Sequence, residues 1–206
     1  MQAQLFQGSQ RDIEEINLGE GQLKLRFEAF GAEEAEGWYN ALLSDIPWQQ
    51  DTLWIAGREI PVPRLQCWMG DEGSAYGYSG IRLEPEPWNP LVLEMKAEVE
   101  RYSSRNFNSV LLNLYRDGQD SVSWHADDEK ELGSDPVITS VSLGDTRTFE
   151  FKHKRENSRD KFRLELPNNS LLIMENGIQD SWLHQIPKTK LKKSPRINLT
   201  FRQIIR

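Results

Sequence analysis

Apolar positions along the chain change period partway through. In "LKLRFEAF" (23–30), Leu23, Leu25 and Phe27 alternate as in a half-buried strand. "AEEAEGWYNALLSDI" (32–46) carries acids in its first turn and apolar residues at Ala35, Trp38, Tyr39 and Leu42, which predicts an amphipathic helix. A second helix is predicted over 90–103, with Leu91, Met95, Val99 and Tyr102 on one stripe. From 109 onward short strand-like runs follow one another: "SVLLNLY", "SVSWHAD", "ITSVSLG", "TFEFKHK", "FRLELP", "SLLIME" and "RINLTFRQI". Turn signals such as "RDGQD", "LGDT" and "PNN" separate them. Many short strands without intervening helices predict a mainly β, α+β domain, an antiparallel barrel or sandwich of the jelly-roll kind buttressed by the preceding helices.

Polar residues alternate within these strands as well. In "RINLTFR" Arg196, Asn198, Thr200 and Arg202 share one face and Ile197, Leu199 and Phe201 the other. The apolar face packs into a core. The polar face offers two guanidinium groups; alternation alone leaves open a surface strand with its wet side outward. In "LLNLY", Asn113 and Tyr115 lie on one face with Leu111, opposite Val110, Leu112 and Leu114.

At 206 residues one domain is expected, with 1–108 as a helical extension and 109–206 as the strand-rich core. No apolar run approaches the ~20 residues of a membrane span, and "MQAQLFQGSQRDIEE" lacks the features of a signal peptide. The expectation is a soluble monomer, cytoplasmic or, in a eukaryote, nuclear, without a membrane partner. Cys67 is the only cysteine, which excludes an intrachain disulfide and fits a reducing compartment. The net charge of −7 speaks against nucleic acid at first sight. That average conceals an asymmetry: residues 1–100 hold 7 Lys+Arg against 18 Asp+Glu, and residues 101–206 hold 18 against 14. "KHKRENSRDKFR" (152–163) and "KTKLKKSPR" (188–196) are distinctly basic, either a local anion-binding surface or solvated loops.

Only three histidines occur, His125, His153 and His184, and the first lies in "SVSWHADDEKELG" (121–133). On a strand, period two sets His125 and Asp127 side by side, which suits two ligands of one metal. A His-x-Asp is common by chance, and a charged loop is the alternative. His153 sits among basic residues that disfavour a nearby cation, so a surface or phosphate-facing role is expected for it. His184, taken alone, reads first as a partly buried histidine bonded to backbone.

The ordered set "NLYRDGQDSVSWHADDE", "SVSLGDTRTFEF", "LLIM", "SWLHQIPK" and "PRINLTFR" resembles the AlkB family of Fe(II)- and 2-oxoglutarate-dependent nucleic-acid dealkylases, nearest to its eukaryotic-type DNA and RNA repair branch. The resemblance covers about 62–206 and implies a double-stranded β-helix with a substrate-lid hairpin. It implies that His125, Asp127 and His184 form the facial triad of Fe(II), which leaves coordination sites for 2-oxoglutarate and O2. It also implies that Asn113, Tyr115, Arg196, Asn198 and Arg202 hold 2-oxoglutarate, with the arginines at its opposite carboxylates. Six residues of strand set those two Cα atoms ~20 Å apart, so their side chains must reach inward from both ends.

For the substrate, the resemblance implies that Asp128 and Glu129 meet the edge of a flipped methylated base, that Tyr78, near Tyr76, stacks on it, and that Arg64 and Trp68 belong to the lid. Read as ordinary residues, the acids are loop acids, and Arg64 and Trp68 a solvent salt bridge and edge packing. Lys152, Lys154, Arg155, Arg159 and Lys161 are expected to track the nucleic-acid strand. The implied reaction is oxidative demethylation of N1-methyladenine and N3-methylcytosine in alkylated DNA or RNA, preferentially single-stranded, with release of succinate, CO2 and formaldehyde. Two alternatives stand beside it: a same-fold oxygenase of a free nucleobase, small molecule or protein, and a non-catalytic binder of methylated nucleic acid. The sequence departs from the family where Asn169-Ser170 replaces a usual Gly before "LLIM"; Asn tolerates positive φ, so a turn stays feasible.

Overall fold

The computed structural model describes residues 13–55, 57–78 and 81–205, with the backbone alone at Ile55, Tyr76, Tyr78 and 81–83. In chain order the elements are β1 (Glu14–Asn17), β2 (Gln22–Arg26), α1 (Ala32–Asp45), β3 (Thr52–Ile55), β4 (Arg58–Pro61), β5 (Leu65–Gly70), β6 (Tyr76–Tyr78), β7 (Ile81–Leu83) and α2 (Pro90–Ser103). They continue with β8 (Ser109–Tyr115), β9 (Val122–His125), β10 (Ile138–Gly144), β11 (Arg147–His153), β12 (Lys161–Leu166), β13 (Ser170–Glu175), α3 (Ile178–Ser181), β14 (Trp182–Ile186) and β15 (Arg196–Arg202).

A seven-stranded sheet in the order β1-β2-β13-β10-β15-β8-β5 faces a four-stranded sheet in the order β12-β11-β14-β9. All pairings between these strands are antiparallel, and β3-β4 and β6-β7 are separate hairpins. The larger sheet draws β1, β2 and β5 from the segment before residue 109.

Period-two patterning places two apolar layers on opposite faces of this sheet. Val110, Leu112, Leu114, Ile197, Leu199 and Phe201 point to α1 and α2, against Trp38, Leu42, Met95 and Val99. Leu111, Tyr115, Leu172 and Met174 point between the sheets, against Phe149, Phe151, Trp182 and Ile186. β15 is buried along its whole length, so its polar face points inward and not to solvent. Phe201 is 0% exposed, and truncating a ring so placed costs ~3–5 kcal/mol.

The helices form where capping and patterning agree. The Asn89 side chain accepts from Leu91 N–H at 2.9 Å and Pro90 opens α2, while Ser104 ends it at φ 53. In α1, Glu34 reaches back to accept from Gly31 N–H at 3.2 Å. Asn169 adopts φ 60, the left-handed turn expected in place of glycine, and its side-chain amide bonds both N–H and C=O of Phe30. Among the described residues no helix is long and apolar enough to cross a membrane.

Candidate metal and anion site

β9 and β14 are neighbours in the smaller sheet, and their register places His184 opposite His125. Their rings meet edge to face with centroids 4.3 Å apart. Asp127 lies just past β9, and one ligand atom from each of His125, Asp127 and His184 falls within 4.8 Å of the others. His125 Nδ1 is 2.8 Å from the Ser123 carbonyl oxygen, which can only accept, so the proton is on Nδ1 and Nε2 carries the lone pair a metal takes. His184 is 2% exposed, yet its Nδ1 finds no hydrogen-bond partner among the described residues. Two neutral imidazoles and a carboxylate in this arrangement fit a divalent cation with open coordination positions.

The electrostatics are consistent with that. Burial would raise the Asp127 carboxyl, but Arg202, His184 and His125 outweigh it and hold it at about 2. Burial, aided by His125, pushes His184 down to about 3, and burial also lowers His125. At neutral pH the trio therefore offers two uncharged imidazoles and one carboxylate without first losing a proton.

The cavity beside the trio is lined by three guanidiniums, from Arg64, Arg196 and Arg202, and by one carboxylate, from Asp127. Arg196 is 2% exposed and donates from Nη2 to Ser142 Oγ at 2.8 Å, while Nε and Nη1 have no hydrogen-bond partner among the described residues. Burial lowers its pKa to about 10, and its guanidinium carbon lies 5.2 Å from the Tyr115 ring centroid. A buried cation with unspent donors is costly unless an anion completes it, so this wall fits a carboxylate ligand. Asn198 donates to Ser140 Oγ at 2.6 Å and Thr200 donates to Asn198 Oδ1 at 2.9 Å, which fixes the floor between the arginines.

Asn113, Tyr115, Arg196, Asn198 and Arg202 thus all line one cavity with the three metal-ligand candidates. Arg64 joins them: it is 4% exposed and donates from Nε to Asn113 Oδ1 at 2.7 Å, and it forms no salt bridge among the described residues. Trp68 is buried between the sheets, its indole N–H donating to Ser74 O at 3.0 Å, and does not line the cavity. Asp128 and Glu129 lie outside the lining; Asp128 accepts from Lys154 Nζ at 2.7 Å. The side chains of Tyr76 and Tyr78 fall outside the described part of the structure.

His153 differs from the expectation of a surface or phosphate-facing residue. Its side chain is 8% exposed, its Nε2 is 2.6 Å from Glu20 Oε2, and its ring packs edge-on against Trp182. Arg155 also pairs with Glu20, and Lys152 lies over the Trp124 ring at 4.7 Å, so much of the basic run is engaged within the protein. Sequence patterning missed Ser140 and Ser142, although both alternate within "ITSVSLG", and it missed Gln179, for which no local signal exists.

Residues 25–202 match the 2OG-Fe(II) oxygenase superfamily. The chain is 42% identical over 180 residues to mouse "Alpha-ketoglutarate-dependent dioxygenase alkB homolog 3", covering 84% of this chain and 62% of that protein. It is 36% identical over 185 residues to human "DNA oxidative demethylase ALKBH2", covering 85% of this chain and 71% of that protein. Among solved structures, that of OsALKBH1 superposes with a TM-score of 0.63 at 17% identity, over 93% of this chain and 100% of that one, a likeness of fold.

Proposed function

The chain belongs to the 2OG-Fe(II) oxygenase superfamily, and from that premise we propose that it removes N-alkyl groups oxidatively from bases of DNA or RNA. The observation that carries this reading is the trio of half-buried His125 with buried Asp127 and His184, which shares one cavity with the Arg196 guanidinium. The mouse and human relatives, one named a dioxygenase and the other a DNA demethylase, support the substrate class.

In this reading His125, Asp127 and His184 hold Fe(II). Arg196, with Asn113 and Tyr115, takes one carboxylate of 2-oxoglutarate, and Arg202 the other. When bound, iron with 2-oxoglutarate and O2 supplies the oxidising power to hydroxylate an N-methyl group, whose hydroxymethyl product releases formaldehyde. The chain's own contribution is placement and desolvation. Ser142 orients the Arg196 guanidinium and Asp127 that of Arg202, and Leu111, Phe149, Leu166, Met174 and Ile186 close the remaining wall against water.

Single-stranded substrates belong to the same reading, as do a monomeric state, a cytoplasmic or nuclear site of action and one catalytic unit across the described residues. A net charge of −7, with Lys154 and Arg155 already paired to acids, limits the phosphate contacts available to open a duplex. Trp54, 73% exposed on the β3-β4 hairpin, offers a stacking surface for unpaired bases. The test is formaldehyde release from N1-methyladenine and N3-methylcytosine in single-stranded and duplex DNA and RNA, with Fe(II) and 2-oxoglutarate. Release from single strands faster than from duplex is expected; no release from any oligonucleotide overturns the assignment.

A further inference from the structure

Asp127 lies beyond the end of β9, so its backbone N–H has no place in the strand ladder, yet the residue is only 2% exposed. A buried N–H needs an acceptor. That acceptor is a side chain: Asp127 N–H donates to Gln179 Oε1 at 2.9 Å. Gln179 is 1% exposed on the short helix α3, five residues before His184, so one segment carries both the third metal-ligand candidate and the hold on the second. The other end of Gln179 is fixed too. Its carbonyl oxygen accepts from Lys154 Nζ at 2.7 Å, and the same Nζ donates to Asp128 Oδ2 at 2.7 Å. Its amide nitrogen lies 3.7 Å from Met174 Sδ.

We infer that Gln179 is a positioning residue for the metal carboxylate, holding the Asp127 backbone at the distance from His184 that a single ion requires. The inference rests on the reading of His125, Asp127 and His184 as a metal site. Arg202 restrains the carboxylate group, but a group on a rotatable Cα–Cβ bond is placed only when its backbone is placed as well. Gln179 supplies that second restraint, without touching the cavity in which the anion wall lies. Its loss therefore acts on metal affinity and leaves the grip on 2-oxoglutarate in place.

The experiment is a Co(II) titration of the full chain, read by ligand-field absorption, on wild type, Gln179→Met and Gln179→Glu, with thermal unfolding of the metal-free proteins alongside. Met matches the length of Gln but offers no oxygen; Glu retains an acceptor of the same reach. Gln179→Met should bind Co(II) roughly 10- to 100-fold more weakly, the usual effect of losing a group that orients a ligand. Its apparent KM for 2-oxoglutarate at saturating iron should stay within about twofold. Gln179→Glu should recover most of the metal affinity. Wild-type Co(II) affinity in Gln179→Met, or equal losses in the Met and Glu variants, overturns the inference. Should Gln179→Met not fold, amide hydrogen exchange of the wild type decides: slower exchange at Asp127 than at Asp128 supports it, and rapid exchange at Asp127 overturns it. Co(II) binding left intact by Asp127→Ala would instead remove the metal site itself.

Discussion

Arg202 donates from Nη2 to Asp127 Oδ1 at 2.6 Å, with the two side chains 4% and 2% exposed. The guanidinium expected to hold one end of 2-oxoglutarate therefore also neutralises the metal carboxylate, which ties the anion wall to the metal-ligand trio. Removing one partner of such a pair strands a buried charge, at a cost of roughly 3–5 kcal/mol. Arg202→Met should lower the urea midpoint of the metal-free chain correspondingly and weaken both Co(II) and 2-oxoglutarate binding. Unchanged stability together with unchanged metal affinity would show that the pair does not couple the two halves of the site.

Arg196 should behave differently, because its Nε and Nη1 have no hydrogen-bond partner among the described residues. A ligand that binds only the folded chain stabilises it by RT ln(1 + [L]/Kd), about 2.7 kcal/mol at 100 times Kd. Succinate or 2-oxoglutarate should raise the Tm of the wild type, and Arg196→Met should abolish the rise. Arg196→Lys should raise the apparent KM for 2-oxoglutarate, since an ammonium cannot reproduce a bidentate fork. A full Tm rise in Arg196→Met would remove the residue from the anion site.

Asp128 faces solvent but is already engaged by Lys154 at 2.7 Å, so a cationic base has to share or displace that partner. Asp128→Asn should cost more on N1-methyladenine than on a neutral lesion such as ethenoadenine, by roughly tenfold in kcat/KM, because only the cation loses a charge-assisted contact. Lys154→Met should shift the ratio the opposite way by freeing the carboxylate. Parallel losses on both lesions in Asp128→Asn would reject this role.

Proton linkage gives a test without substrate. Burial holds His184 at about 3 in the folded chain against an ordinary 6.5, so unfolding lets it take up a proton at any pH between those values. Stability is then complete above about 6.5 and is lost as the pH falls, at up to about 1.4 kcal/mol per pH unit for one such group. Asp127, held at about 2 against 3.8, acts with the same sign lower down, its contribution lost only below 3.8. Urea midpoints of the metal-free chain should fall from pH 6.5 to 5, and His184→Asn should flatten that slope. A midpoint independent of pH in the wild type would contradict a neutral buried imidazole.

Much of this architecture was legible along the chain. Strict alternation in "RINLTFR" separated the core face of β15 from its cavity face, and "LLNLY" did the same for β8, because period two is a local property of the backbone. The helices, expected over 32–46 and 90–103 and found at 32–45 and 90–103, followed from apolar stripes for the same reason. β14 was not legible. Its inward residues are Trp182, His184 and Ile186 and its outward ones Leu183 and Gln185, so burial alternates while hydropathy does not. β5 hid similarly, buried on both faces as "LQCWMG".

What the sequence determined by itself was the inventory: strands with one polar and one apolar face, a His-x-Asp at a strand end, and two arginines six positions apart. Only the tertiary structure decided which of these meet. His184 stands opposite His125 because β14 pairs with β9, and a register irregularity in that pairing sets the match. Arg202 reaches Asp127, and Gln179 takes its N–H, because two sheets and a short helix converge on one loop. Such contacts join residues 52 and 75 positions apart in the chain, and no local period reports them. They arise from packing, where burying apolar faces brings the strands together and the polar groups carried inward must find partners or a ligand.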